Sequence, residues 1–227
     1  MATKKAVKTV KPQLRISKPR YGFIDVTVGN KGMDSTLIVH ALGEKMKHYL
    51  EERGKNNIGS RKTAKEERNP EQEFKDSMYY MPGSSPKSKN PKYGLVAAGF
   101  KKAMVRAAKP IDGIAMTDVQ QNIFVYDEAD GLVPIKCSKP RMREDIVSIG
   151  KGTGKTPDLR YRGEYKDWSA KLRIRYNADF FTSEEVLNLL SHAGLSVGWG
   201  EMRPEKGYDH GIYDIQGDAK VQEPKSN

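Results

Sequence analysis

From Tyr21 to Val28 the chain alternates. Phe23, Asp25 and Thr27 fall on one face and Ile24, Val26 and Val28 on the other, the period of a half-buried strand. After the turn signal GNKGMD the period lengthens. STLIVHALGEKMKHYLEE places Ile38, Leu42, Met46 and Tyr49 on one helical face, with Asp34 or Ser35 as cap. PEQEFKDSMYYM predicts a short helix capped by Asn69, with Pro70 in its first turn. YGLVAAGFKKAMVRAAK predicts a longer one, with Val96, Phe100, Ala103, Met104 and Ala107 inward. Its Lys101, Lys102, Arg106 and Lys109 lie largely outside that stripe. NIFVYDE, GLVPIKC and EDIVSIG read as short strands around turns. LRYRGEY then puts Arg160 and Arg162 on one face, and Leu159 and Tyr161 on the other. AKLRIRYN turns Leu172, Ile174 and Tyr176 in and Lys171, Arg173 and Arg175 out. TSEEVLNLLSHAG is a helix with Thr182 and Glu185 as a capping box and Gly194 as its stop. LSVGWGEMRPEKGYDHGIYDI runs strand, glycine-rich loop, strand.

The order of these elements lacks the regular repeat of a doubly wound sheet. It predicts an α+β fold with helices on one face of a mainly antiparallel sheet. A ferredoxin-like (RRM-like) core fits: residues 24–28 as first strand, residues 159–176 as the middle hairpin, 182–193 as second helix and 211–215 as last strand. The single domain would span residues 21–215, with a basic arm at 1–20 and a polar tail at 216–227. Between about 54 and 92, GKNNIGSRKTAKEERNP and PGSSPKSKNPK are rich in Gly, Pro, Ser and Lys and read as a projecting insertion.

Charge adds a class of partner. Of 227 residues, 40 are Lys or Arg and 29 Asp or Glu, a net charge of +11. Such a balance attracts polyanions, either nucleic acid or an acidic membrane surface. The arm at 1–20 carries no acid at all. One cysteine, Cys137, excludes an internal disulfide and a Cys-based zinc site. The histidines are scattered, and His40 and His48 miss the i, i+4 spacing of a ligand pair, so neither a metal nor a cofactor is expected. No apolar run reaches membrane-spanning length and the N-terminus lacks a signal-peptide core, which predicts a cytoplasmic protein.

Within IGKGTGKTPDLRYRGEY, Gly154-Lys155-Thr156 resembles the end of an ATPase phosphate loop. The pattern requires a glycine where Ile149 stands, and Pro157 follows at once with strand rather than helix beyond it. The segment reads instead as a mobile, basic hairpin loop presenting Lys151 and Lys155. If LRYRGEY and AKLRIRYN paired, one sheet surface would carry five cations, a self-repelling ladder unless an anion lies across it. The alternative is neutralisation by Asp158, Glu164 and Asp167. In the C-terminal loop Gly198, Gly200, Gly207 and Gly211 permit close approach to a phosphate chain. Arg203 and Lys206 supply charge there, and Trp199 and Tyr208 offer rings for stacking. The alternative is a hairpin with Trp199 in the core.

The capped helix followed by GLSVGWGEMRPEKGYDHGIYDI resembles the helix, glycine-rich loop and final strand of the RAMP superfamily. These are the ferredoxin-fold CRISPR proteins, and the likeness is greatest to the backbone subunits that polymerise along guide RNA. YGFIDVTVGNKGMDSTLIVHAL is similar to their first strand and helix. The resemblance covers the two ends, about a third of the chain. The chain is shorter than most such subunits and no segment matches their thumb, departures that suit a phage-encoded relative outside any CRISPR complex.

Three functions follow as expectations. The first is a non-catalytic protein that coats single-stranded nucleic acid, RNA or DNA, by backbone contacts and assembles head to tail into a filament or ring. Its contact residues would be Lys101, Lys102, Arg106, Lys151, Lys155, Arg160, Arg162, Arg173, Arg175, Trp199, Arg203, Lys206 and Tyr208. The second, implied by the resemblance, is a metal-independent endoribonuclease using His40 with Lys45 or Tyr49. The third is a structural or scaffold protein of a viral assembly.

Overall fold

The computed structural model describes residues 17–42, 51, 68–150 and 154–224. It is a mixed α+β structure with antiparallel sheets. The central sheet is built on β1 (Tyr21–Gly29) and β8 (Ser169–Asn177), which pair antiparallel along their whole length, Tyr21 opposite Asn177 and Gly29 opposite Ser169. On the far side of β1 lie β9 (Asp214–Ile215) and β10 (Lys220–Gln222). On the far side of β8 lie β4 (Ile123–Tyr126) and β5 (Leu132–Lys136), the latter continuing to β3 (Gly94–Val96). A second sheet has the order β2-β7-β6, from β2 (Leu37–Val39), β7 (Thr156–Tyr165) and β6 (Arg141–Ile149).

The alternation read in β1 and β8 has the expected sides. Ile24, Val26, Val28, Leu172, Ile174 and Tyr176 are buried, and they face α2 (Ala97–Ala107) and α4 (Ser183–His192). From α2 the core receives Phe100, Ala103, Met104 and Ala107, and from α4 Val186, Leu189 and Leu190. Val96 is half-buried and stands just before α2 rather than inside it. The capping box of α4 is formed: the Glu185 amide donates to Thr182 Oγ1 at 3.2 Å, and the Thr182 amide donates to Glu185 Oε2 at 2.8 Å. Such caps contribute about 1 kcal/mol. The shorter helices are α1 (Pro70–Asp76), capped by Asn69 as the sequence predicts, and α3 (Met116–Asn122).

Several expectations change. The helix read from Ser35 onward does not start there. Leu37, Ile38 and Val39 form a fully buried strand against Tyr165, Glu164 and Gly163. Three consecutive apolar residues satisfy either period, and burial on both sides selects the strand. Met46 and Tyr49 lie outside the described residues. The hairpin of residues 159–176 does not exist either: β7 and β8 follow each other in sequence but pair in different sheets. Nor does Gly194 stop α4. A wide π turn, Ala193–Val197, continues it, and the chain reverses at Gly198 with φ 74°. A side chain at Gly194 would run into the Tyr213 backbone, so that glycine serves close packing.

Within the span read as an insertion, Met78 and Met81 are buried and Phe74, Tyr79 and Tyr80 pack against the core. β6 and β7 run antiparallel from Arg141–Glu164 to Ile149–Thr156, so Thr156 opens a strand where a phosphate loop requires a helix. Among the described residues no helix is long and apolar enough to cross a membrane.

Candidate functional site

A groove of about 670 Å³ runs between the outward face of α2 and the loop that follows the π turn. Lys101, Lys102 and Arg106 line one wall, and Trp199, Gly200, Arg203 and Glu205 the other, with His40 and Tyr79 between them. Sequence order separates the two walls by more than ninety positions, and the loop is held in place by its backbone. The Trp199 amide donates to Gly211 O at 2.8 Å, and the Glu201 amide donates to Ile38 O at 2.9 Å. Two glycines make this possible. Gly200 (φ 93°) and Gly211 (φ 71°) take left-handed conformations, and a side chain at either would strike the backbone of Ile38 or Trp199. Their task is close packing of protein on protein. Gly207, by contrast, faces open space.

Charge in the groove is organised by Glu205. Its Oε1 receives Arg106 Nη1 at 2.6 Å from one wall, and its Oε2 receives Arg203 Nη2 at 2.6 Å from the other. Arg203 Nη1 also donates to Gly200 O at 3.0 Å, which fixes the guanidinium plane. Lys206 stands 3.9 Å from Glu201. Lys102 is exposed and, among the described residues, has no carboxylate within 4.0 Å. The Lys101 ammonium lies 4.4 Å from the centre of the Phe124 ring, and burial lowers its pKa. His40 is exposed as a residue, yet desolvation of its ring, then the charges of Arg162 and Arg160, pull its pKa below the usual imidazole value.

Trp199 is only 8 % exposed. It packs against Gly99, Tyr79 and Phe100, and its indole N–H donates to Val96 O at 3.4 Å. This is the core position weighed as the alternative, and it leaves little ring face for a base. Arg162, expected on an open surface, is 6 % exposed and lies 3.6 Å from Asp145. Arg160 pairs with Asp158 at 3.0 Å. The five-cation ladder is therefore divided: Arg160 and Arg162 sit in the second sheet with carboxylates, while Lys171, Arg173 and Arg175 remain on the central sheet. Lys155 and Tyr208 are exposed away from the groove lining. Lys151 and Lys45 lie outside the described residues.

Sequence reading missed Glu205 as the groove's clamp and missed the rings around the central arginines. The Arg175 guanidinium carbon lies 4.6 Å from the Phe124 ring centre and 4.8 Å from that of Tyr21, and Arg173 lies 5.3 Å from Phe23. An aromatic at every second residue, Tyr21 and Phe23 in one strand and Phe124 and Tyr126 in another, was the available signal. Also missed was a buried carboxylate joining the second sheet to the loop. Glu164, 2 % exposed, accepts from Thr36 Oγ1 at 2.6 Å and from Arg141 and Arg143. Thr36 Oγ1 in turn lies 2.9 Å from His210 Nδ1. Burial alone would raise the Glu164 pKa, but hydrogen bonds from Arg141 and Thr36 and the charges of Arg141 and Arg143 outweigh it and hold it at about 2. Its bonds tie β7 to Arg141 and Arg143 of β6 and to Thr36 before β2, which makes it a brace.

No protein-family profile matches the chain, and no curated protein matches it. Among solved structures it is similar to a chain of the Type III-B Cmr-beta complex bound to cognate target RNA, determined by cryo-electron microscopy. The TM-score is 0.44 at 11 % identity, over 90 % of this chain and 61 % of that one. The chain thus spans less than two thirds of the Cmr chain.

Proposed function

We propose that this protein binds single-stranded nucleic acid without cleaving it, holding the phosphate backbone in the groove between α2 and the Gly198–Lys206 loop. RNA is the form that the RAMP resemblance implies. The groove carries the proposal: cations from two distant parts of the sequence face each other across it, in a chain of net charge +11. Lys101 and Lys102 meet phosphates directly, while Arg106 and Arg203 stay paired with Glu205, which holds them back from phosphate oxygens. Contacts to the phosphate backbone carry no sequence information directly, so groove binding is tolerant of sequence.

We further propose a ferredoxin-like core in which β1, α2, β4, β8, α4 and β9 are the successive elements. β9 and β8 flank β1, and β4 lies beyond β8. Strands β6 and β7 of the second sheet are then an excursion between β4 and β8, joined by β2 from the connection after β1, and β6 is an edge strand among the described residues. Met142, Ile146 and Ile149 are exposed on that strand, Ile146 at 75 %. An edge of this kind suits head-to-tail assembly of copies along a strand.

The test is purification without nuclease, followed by the ratio of absorbance at 260 to 280 nm and size measurement before and after nuclease. Co-purifying single strands and particles that shrink on nuclease treatment are expected. Particles that persist through nuclease and high salt would replace this reading with the scaffold reading. Incubation with labelled RNA in the absence of metal is expected to leave the RNA intact. A 2′,3′-cyclic phosphate product, lost in His40→Ala, would replace it with the endoribonuclease reading.

A further inference from the structure

The central sheet has a second face, turned away from the helices. Its residues are set by register. Arg175 stands between Phe23 of β1 and Phe124 of β4, and the next rung along places Arg173 between Asp25 and Tyr126. Neighbouring strands are ~4.8 Å apart and successive rungs ~7 Å. Both arginines lie against rings: besides the Phe23, Phe124 and Tyr21 contacts, Arg175 is 5.7 Å from the centre of Tyr126. Arg175 Nε is buried with no hydrogen-bond partner, so the π faces are what hold it. Neither Arg173 nor Arg175 has a carboxylate within 4.0 Å among the described residues.

We propose that this outer face is a stacking platform for nucleobases of the same single strand whose phosphates occupy the groove. The proposal deepens the function given above and rests on it. Arg173 and Arg175 are held against the rings, and in this proposal their guanidinium groups serve bases by stacking and phosphates by N–H donation. Tyr21 and Tyr126, each 39 % exposed, offer further ring surface at the rim of the patch. An acidic peptide would match the charge but has no use for two aromatic pairs at alternate positions of two strands. The two surfaces are joined by one residue. Lys101 lines the groove, and its ammonium sits over Phe124 at the platform's edge. A strand passing around β4 can touch both.

The experiment compares, on the full chain, a short labelled single-stranded RNA with an abasic ribose-phosphate strand of equal length. The wild type is expected to bind the base-carrying strand at least about tenfold more tightly, since each stacked base contributes roughly fivefold or more. That preference falls by about fivefold or more in Tyr21→Ala/Tyr126→Ala and returns in Tyr21→Phe/Tyr126→Phe, with the salt dependence unchanged throughout. If the wild type binds both strands equally and with steep salt dependence, the groove function stands and the platform is refuted. A preference for bases that survives both alanines also refutes it. If neither strand binds, both proposals fall. An oligoglutamate peptide that displaces nothing is expected; one that binds while the preference for bases is absent would assign the face to acidic peptides instead.

Discussion

Glu205 neutralises one arginine from each wall of the groove, so removing its charge is expected to strengthen binding. In Glu205→Gln, Arg106 and Arg203 lose the carboxylate that each contacts at 2.6 Å, while the Gly200 carbonyl still orients Arg203. Folding changes little, because ion pairs as exposed as Arg106–Glu205 contribute about 0–1 kcal/mol. Binding changes more. Each phosphate neutralised on a single strand contributes ~0.7 to the slope of log affinity against log salt. One arginine released to a phosphate gives about fourfold tighter binding at about 0.15 M salt; two give about 14-fold and a slope steeper by ~1.4. At about 0.05 M salt the two-arginine gain rises to roughly 65-fold. The assay is fluorescence anisotropy of a labelled single strand titrated with wild type and variant across that salt range. Equal affinity and equal slope would mean that phosphates do not enter the groove, and would refute the reasoning.

The opposite change is expected in Lys101→Ala/Lys102→Ala: binding weaker by about 14-fold at about 0.15 M salt and a slope shallower by ~1.4, read in the same titration. Glu164 ties stability to acid. Its folded pKa of about 2 lies below the usual 4.5, so the unfolded chain takes up its proton first. The stabilisation is complete above about 4.5 and is lost as pH falls towards about 2. Glu164→Gln should therefore cost ~2 kcal/mol at neutral pH, after allowing for the solvent around Arg141, with the difference closing in acid; urea melts across pH check this. Gly211→Ala, whose new methyl meets the Trp199 backbone, should destabilise by ~3 kcal/mol or more. Gly207→Ala, in open space at φ 80°, should cost only ~1–2 kcal/mol; equal thermal midpoints for the two would contradict the packing role given to Gly211.

Elements with one buried face were legible from sequence, because burial on one side writes a period into the residues. β1, β8, α2 and α4 are of this kind. β2 was not, since Leu37-Ile38-Val39 is buried on every side and carries no period. β10 lies in a polar stretch and is exposed throughout, held to β1 by backbone pairing. Alternation also shows which way a side chain points without naming the strand beside it, which is why β7 and β8 could be read residue by residue and still be mispaired. The site follows the same division. Lys101, Lys102 and Arg106 were visible as the stripe outside the α2 core, and Arg203 as loop charge. Glu205 between them and Asp145 beside Arg162 depend on contacts across the fold, which no local pattern encodes.

The slope of log affinity against log salt for the wild-type protein on single-stranded RNA tests the central claim most directly. Lys101, Lys102, Arg173 and Arg175, which line the groove and the platform with no carboxylate within 4.0 Å among the described residues, require a slope near −2.8 from their phosphate contacts, with Arg106 and Arg203 held by Glu205. A slope near zero, or binding that persists undiminished at about 0.5 M salt, would contradict it.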